Sequence, residues 1–250
     1  MGIKLLGYSE RGLINSLFYE LSLRNQGGRL LSLLLNLVYF PDGERKFQID
    51  EAVILIEPSL SDFGDADAVL FIKNSGRHHT VFIEAKVKTS EKDKWRLHGE
   101  FAEFKRGVKN ERVSSSNLFT QLYHKQRLIR GIIEIGIQAL AQEGLVFPKC
   151  STKKGPRKIG NNPVVNRVIE MMSHYLDQSF FVGLIPDEVI NLRKITRNDF
   201  KLAEFENDPN WHWSMANWGW LDWKDVEEFC KEYGLSDTLS NFEHNKDQIY

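Results

Sequence analysis

Residues Gly64 to Lys88 read GDADAVLFIKNSGRHHTVFIEAKVK. Two runs rich in β-branched and aromatic residues flank Asn74-Ser75-Gly76-Arg77, the pattern of a β-hairpin with a tight turn at Ser75-Gly76. A two-residue turn fixes an antiparallel register in which paired residue numbers share one sum, and this puts Asp67 opposite Glu84. Opposed side chains in a sheet have Cβ atoms only about 4.5–5.5 Å apart, so two carboxylates there repel unless positive charge lies between them. Side chains alternate along a strand, so Asp67, Glu84 and Lys86 share one face while Ile83, Ala85 and Val87 take the other. Both strands are otherwise apolar on both faces, as in the middle of a sheet. That argues against the competing reading, a surface hairpin with a solvated charge cluster.

The arrangement Asp67 … Glu84-Ala85-Lys86 resembles the PD-(D/E)XK nuclease superfamily, the restriction-endonuclease-like group. The Glu-Ala-Lys half matches closely. In the first half Ala66 stands where the family has proline, and Asp62 and Asp65 lie nearby. Asp67 is preferred as the first acid because an apolar strand begins directly after it. Asp65 is the alternative, and the register also allows it to be an ion-pair partner of Lys86. The resemblance implies an α/β fold, a three-layer αβββαβ core with a central mixed sheet flanked by helices. It also implies a divalent cation, Mg²⁺ or Mn²⁺, held by Asp67, Glu84 and the Ala85 carbonyl. Lys86 would orient water or stabilise developing negative charge. The implied partner is DNA, with RNA open, and endonuclease and exonuclease action are both open.

At 250 residues the chain can form one large α/β domain with a substantial core. Cys150 and Cys230 are far apart and lack the spacing of a zinc site or disulfide framework, which fits a reducing cytoplasm. The N-terminal MGIKLLGYSE lacks the apolar run of a signal peptide, and no segment is apolar enough to span a membrane. Net charge is −1, but residues 86–160 hold 17 Lys/Arg against 7 Asp/Glu, whereas residues 201–250 hold 4 against 11. A basic segment that begins at Lys86 suits a phosphate-binding surface. Its candidate contacts are Lys88, Lys125, Lys153, Lys154, Arg157 and Lys158.

In chain order, Ser9 reads as the N-cap of a helix that stacks Leu13, Ile14, Leu17 and Leu21 on one stripe. Glu10 falls at the centre of that stripe. It is read either as an acid that assists the metal site, as the resemblance implies, or as a charge favoured by the helix dipole. Glu20, at the stripe's edge, reads as solvated. Gly27-Gly28 breaks the helix, and Arg29 to Phe40 resumes an apolar helical segment. Phe47 to Glu57 is the first strand, and residues 90–116 form an irregular or helical insertion near the site. A helix from Asn117 to about Gly136 projects Gln121 and Lys125 together; Gln121 is a second candidate by resemblance. Residues 149–162 read as a flexible basic loop, Asn166 to Leu176 as a helix, and Ser179 to Ile185 as a fourth strand. The expected division is a core over residues 1–190 and a Trp-rich, acidic extension over 191–250 that packs on it. Five of the six tryptophans lie between Trp211 and Trp223, read as a core-capping or dimer-forming cluster rather than a stack for bases. Asp222 to Glu232 reads as a closing amphipathic helix, and a homodimer is left open.

Overall fold

The computed structural model describes residues 6–88, 95–110, 113–146, 155–186, 192–202 and 212–249. Two helices, α1 (Ser9–Ser22) and α2 (Gly27–Leu35), precede strands β1 (Ile49–Ile56), β2 (Ala68–Asn74) and β3 (Arg77–Ala85). Helices α3 (Leu97–Lys109), α4 (Leu118–Glu134), α5 (Gly136–Gln142) and α6 (Pro163–Ser173) lead to β4 (Gln178–Ile185). The chain continues with β5 (Trp218–Asp222) and helices α7 (Trp223–Tyr233), α8 (Ser236–His244) and α9 (Lys246–Ile249). The sheet order is β1-β2-β3-β4-β5, antiparallel across the first three strands and parallel from β3 to β5. It is a five-stranded mixed sheet flanked by helices, with β3 in the middle.

The hairpin takes the register its sequence prescribes. Asn74 pairs with Arg77 and Ala68 with Ile83. Ser75 and Gly76 both have positive φ, 51° and 79°, which is the backbone of a type I′ turn and matches the twist of the flanking strands. Alternation then divides the interior in two. Val69, Phe71, Phe82, Phe181 and Trp220 pack against α3, α4 and α6 on one face. Leu70, Val81, Ile83, Val182 and Leu184 pack against α1, α2 and α7 on the other.

Several boundaries differ from the sequence reading, each for a local reason. Ser9 begins α1 but does not cap it: it has φ 58°, and its N–H donates to Asn245 Oδ1 at 2.8 Å. Gly27 and Gly28 open α2 rather than only ending α1; a Cβ at Gly27 would lie 2.6 Å from the Leu21 carbonyl oxygen, so the close turn between the helices requires glycine. Helix α6 starts three residues early because Asn162 caps it through the Val164 N–H and Pro163 fits the first turn. The segment foreseen as an insertion contains α3, whose Phe101 and Phe104 sit in the core. Glu20 is buried, not solvated, and its Oε2 accepts from the Thr238 N–H and hydroxyl at 2.9 Å each.

Residues 218–249 do not pack onto a finished sheet; they supply its fifth strand and three helices. Trp213, Trp218 and Trp220 join Phe101, Phe104, Phe119 and Phe200 in an aromatic cluster, the core role favoured by the sequence. Trp211 and Cys150 lie outside the described residues. Among the described residues no helix is long and apolar enough to cross a membrane.

Candidate functional site

The site lies where β2 begins and β3 ends. Extending the hairpin register by one pair sets Asp67 against Glu84, and Asp67 Oδ2 accepts the Ala85 N–H at 2.7 Å. Burial, and then the Glu84 charge, push Asp67 up to about 6; the Ala85 N–H and Lys86 pull it the other way, and Glu10 adds a smaller upward push. The two acids are therefore crowded on one face, with Lys86 and Glu10 close enough to be felt. A solvated surface cluster does not describe them, since Glu84 is 1 % exposed.

Helix α4 brings the next residues. Along the row Glu84, Gly183 and Trp220 on neighbouring strands, the middle position must be glycine. A Cβ there would meet the Trp220 ring at 2.8 Å and Leu118 at 3.1 Å. With that space kept clear, α4 lies close over the sheet, its Lys125 reaches Glu84 and its Gln121 reaches Lys86. Gln121 Oε1 accepts from Lys86 Nζ. Lys125 Nζ lies 2.7 Å from Glu84 Oε1 and donates to the Asp65 carbonyl at 2.7 Å. Glu84 Oε1 receives no directed hydrogen bond, so its contact with Lys125 is a charge pair formed off the lone-pair direction. Lys125, read as a phosphate contact, is instead fully buried beside an acid: the four-residue spacing from Gln121 turns it toward the sheet rather than toward a surface.

Asp65, Asp67, Glu84, Gln121 and Lys125 line a cleft of about 550 Å³ together with Arg11, Glu57, Ser61, Asp62, His124, Ser115 and Arg157, and Lys86 is bound to the Gln121 of that wall. Two of its wall residues are held in uncommon backbone conformations: Glu57 has φ 50° and Ser61 φ 58°. Each such residue costs of order 1–3 kcal/mol, and strain of this kind collects at ligand sites. His124 is held well below the usual imidazole range by burial, with the Arg157 and Lys125 charges adding to it.

Arg157 is buried, directs its guanidinium to the Asp62 carbonyl and pairs its backbone with Leu145. Lys158 donates its N–H to Asp62 Oδ2 at 2.8 Å and its ammonium to the Gln142 carbonyl. The described half of the basic loop is thus a strut for the turn at Ser61–Phe63 rather than a flexible arm, and only Arg157 of the pair reaches the cleft. Lys88 is half-buried and its N–H donates to the Gln248 carbonyl at 2.7 Å. Lys153 and Lys154 lie outside the described residues. The Asp65 side chain is exposed; its contribution is the carbonyl that holds Lys125.

Sequence reasoning missed four contributors. Trp223 donates its indole N–H to the Lys86 carbonyl at 2.8 Å. Glu100 on α3 accepts the Leu118 N–H at 2.9 Å, is pushed upward by burial and feels the Lys86 charge. Asn241 and Asn245 on α8 and its C-terminal side hold the Gly7 and Ser9 N–H groups, which seats the turn carrying Glu10. Only the capping pattern of a polar residue before α4 was available as a signal for Glu100.

The donor types fit a hard divalent cation: Asp67 and Glu84 supply carboxylate oxygens, and their mutual crowding is what a cation between them relieves. No protein-family model, no curated protein and no solved structure matches the chain.

Proposed function

We propose that this protein is a metal-dependent nuclease that hydrolyses phosphodiester bonds of DNA, built on a restriction-endonuclease-like core. One observation carries the reading. Asp67 and Glu84 meet on adjacent central strands in a cleft large enough for a backbone phosphate and its sugar, with Lys86 on the same face of the sheet and bound to Gln121 of the cleft wall. The mixed sheet, whose hairpin β2–β3 bears the acids and whose β4 runs parallel to β3, supports the same assignment.

A Mg²⁺ or Mn²⁺ ion, when bound, supplies charge neutralisation at phosphate and lowers the pKa of water. Asp67 and Glu84 would hold it, with the Ala85 carbonyl as a third oxygen. Lys86 directs an ammonium into the site, and Gln121 Oε1 fixes that ammonium so that it can orient water and stabilise the charge gathering on the phosphate oxygens. Glu10 places further negative charge near Asp67 and is suited to positioning a water. Arg11, on the cleft wall, offers a cation to a flanking phosphate.

The test is cleavage of supercoiled plasmid by purified protein with Mg²⁺ or Mn²⁺. Lys86→Ala should abolish cutting and leave DNA binding largely intact. Activity that survives in a Lys86→Ala, Glu84→Ala double variant removes these residues from the mechanism. A second reading is a non-catalytic nucleic-acid-binding protein on the same fold. The Lys125 ammonium favours it, because a carboxylate already neutralised from within does not require a metal. Calorimetry separates the two: uptake of Mg²⁺ at millimolar concentration belongs to the nuclease, and no uptake to the binding protein.

A further inference from the structure

Lys125 is the most deeply buried cation of the cleft, and its surroundings are those of a metal ion. Its Nζ has a carboxylate oxygen of Glu84 at 2.7 Å and the Asp65 carbonyl oxygen at 2.7 Å, both hard oxygen donors. The loop Gly64-Asp65-Ala66 wraps it closely: a Cβ at Gly64 would lie 3.4 Å from that nitrogen. Burying an ammonium is costly unless a charge compensates it, and Glu84, itself buried, is that charge. Resting on the nuclease reading, we infer that the Lys125 ammonium stands in for a second divalent cation, so that the site takes one metal ion per chain.

Electrostatics supports the count. A second cation placed on Glu84 would lie beside the Lys125 ammonium, 2.7 Å from Glu84 Oε1, and like charges at that range in a buried place repel. Geometry agrees with electrostatics, because the oxygen atoms that a second ion would need around Glu84 Oε1 are already taken by the ammonium. Lys125 in this role is a positioning residue: it fixes Glu84 and bears the charge that a second ion would otherwise supply.

The experiment counts Mn²⁺ bound per chain by equilibrium dialysis with electron paramagnetic resonance, for the wild type, Lys125→Ala and Lys125→Met. The expected counts are one, two and one. The alanine removes both charge and bulk, so a second ion enters. Methionine removes the charge but fills the space. The thermal midpoint of Lys125→Ala should rise more steeply with Mn²⁺ than that of the wild type, since the ion restores the charge Glu84 lost. Two ions in the wild type, or one in Lys125→Ala, overturns the inference and leaves the metal-dependent reading standing. No ion in the wild type overturns both. Should Lys125→Ala not fold, anomalous diffraction from Mn²⁺-soaked wild-type crystals decides. One peak beside Asp67 and Glu84, with Lys125 still on Glu84, supports the inference; a second peak in place of the ammonium overturns it.

Discussion

The indole N–H of Trp223 and the carbonyl of Lys86 are 2.8 Å apart and hydrogen-bonded. This ties the first residue of α7 to the main chain that carries the candidate catalytic ammonium, just after the Lys86 N–H has closed the ladder to Leu184 at 2.8 Å. Lys86 therefore leaves the sheet in a fixed direction. Trp223→Phe keeps the ring in its core and deletes only the donor. Stability should fall by about 1 kcal/mol, the usual net worth of such a bond. The turnover rate for plasmid cleavage should drop roughly tenfold while KM changes little, because a misaimed ammonium weakens stabilisation of the transition state more than binding. An unchanged rate would mean that the ladder to Leu184 alone aims Lys86.

Gln121 should act on the same ammonium from the other side. Its Oε1 is the side-chain acceptor of Lys86 Nζ, and it sits on the same face of α4 as Lys125. Gln121→Leu preserves size and helix propensity but removes the acceptor. The expected result is a 10- to 100-fold loss of cleavage rate with an unfolding midpoint within about 0.5 kcal/mol of wild type, as for a half-exposed polar substitution. Restoration of most of the rate by Gln121→Glu would identify acceptance of the lysine proton as the function of this position.

The hairpin was readable because two independent signals agreed: period-two alternation around an apolar strand pair, and Ser-Gly at the one place where two positive φ angles are needed. Agreement of that kind fixes register, and register alone put Asp67 across from Glu84. Spacing could also say that Gln121 and Lys125 share a side of α4. It could not say what that side meets, so a lysine that neutralises Glu84 looked like one that would meet phosphate. Glu20 failed for the related reason that a helical stripe knows nothing of a partner 218 residues away. Strand β5 was hidden because Trp-Gly-Trp-Leu-Asp reads as an aromatic cluster, and only its pairing with β4 makes it a strand.

Asp67 gives a pH-dependent prediction. Its folded value of about 6 stands above the ordinary 3.8, so the folded state holds this proton more tightly than the unfolded chain does. The stability this contributes is complete below about pH 4 and is lost as pH rises through about 6, up to roughly 3 kcal/mol for a shift of this size. In metal-free protein, Asp67→Asn should abolish this loss, so that the variant is the more stable at pH 7 by about 1–3 kcal/mol and equal to wild type at pH 4. The same substitution should end Mg²⁺ uptake and cleavage, a gain in stability at the cost of function. Urea unfolding at the two pH values checks it; a stability difference that does not vary with pH would show that Asp67 is neither desolvated nor crowded.

Gly183 should reveal how closely α4 must approach the sheet. Its missing side chain leaves room for the Trp220 ring and Leu118, which a methyl would meet at 2.8 and 3.1 Å. Both neighbours are fully buried and cannot swing away. Gly183→Ala should cost about 1–3 kcal/mol by overpacking. It should also push the N-terminal turn of α4 outward, separating Gln121 from Lys86, so that the loss of cleavage exceeds what the loss of folded protein explains. A variant with reduced stability but full specific activity would show that the helix can retreat without moving Gln121.

The buried Glu20 tests whether the C-terminal helices position the site at a distance. Its Oε2 accepts two hydrogen bonds from Thr238 near the start of α8, and the other oxygen meets Arg24 at 3.1 Å. Asn241, three residues beyond Thr238, and Asn245 just past the end of α8 hold the Gly7 and Ser9 N–H groups, and with them the turn that presents Glu10. Glu20→Ala leaves the Thr238 N–H and hydroxyl buried without an acceptor, which should cost about 1–3 kcal/mol for each group so orphaned. If α8 is the seat of Glu10, the variant should also lose cleavage rate, and to the same degree as Glu10→Ala. The double variant should then be no slower than Glu10→Ala alone, because both changes remove one contribution. Additive losses would mean that Glu20 supports the fold and Glu10 acts independently of it.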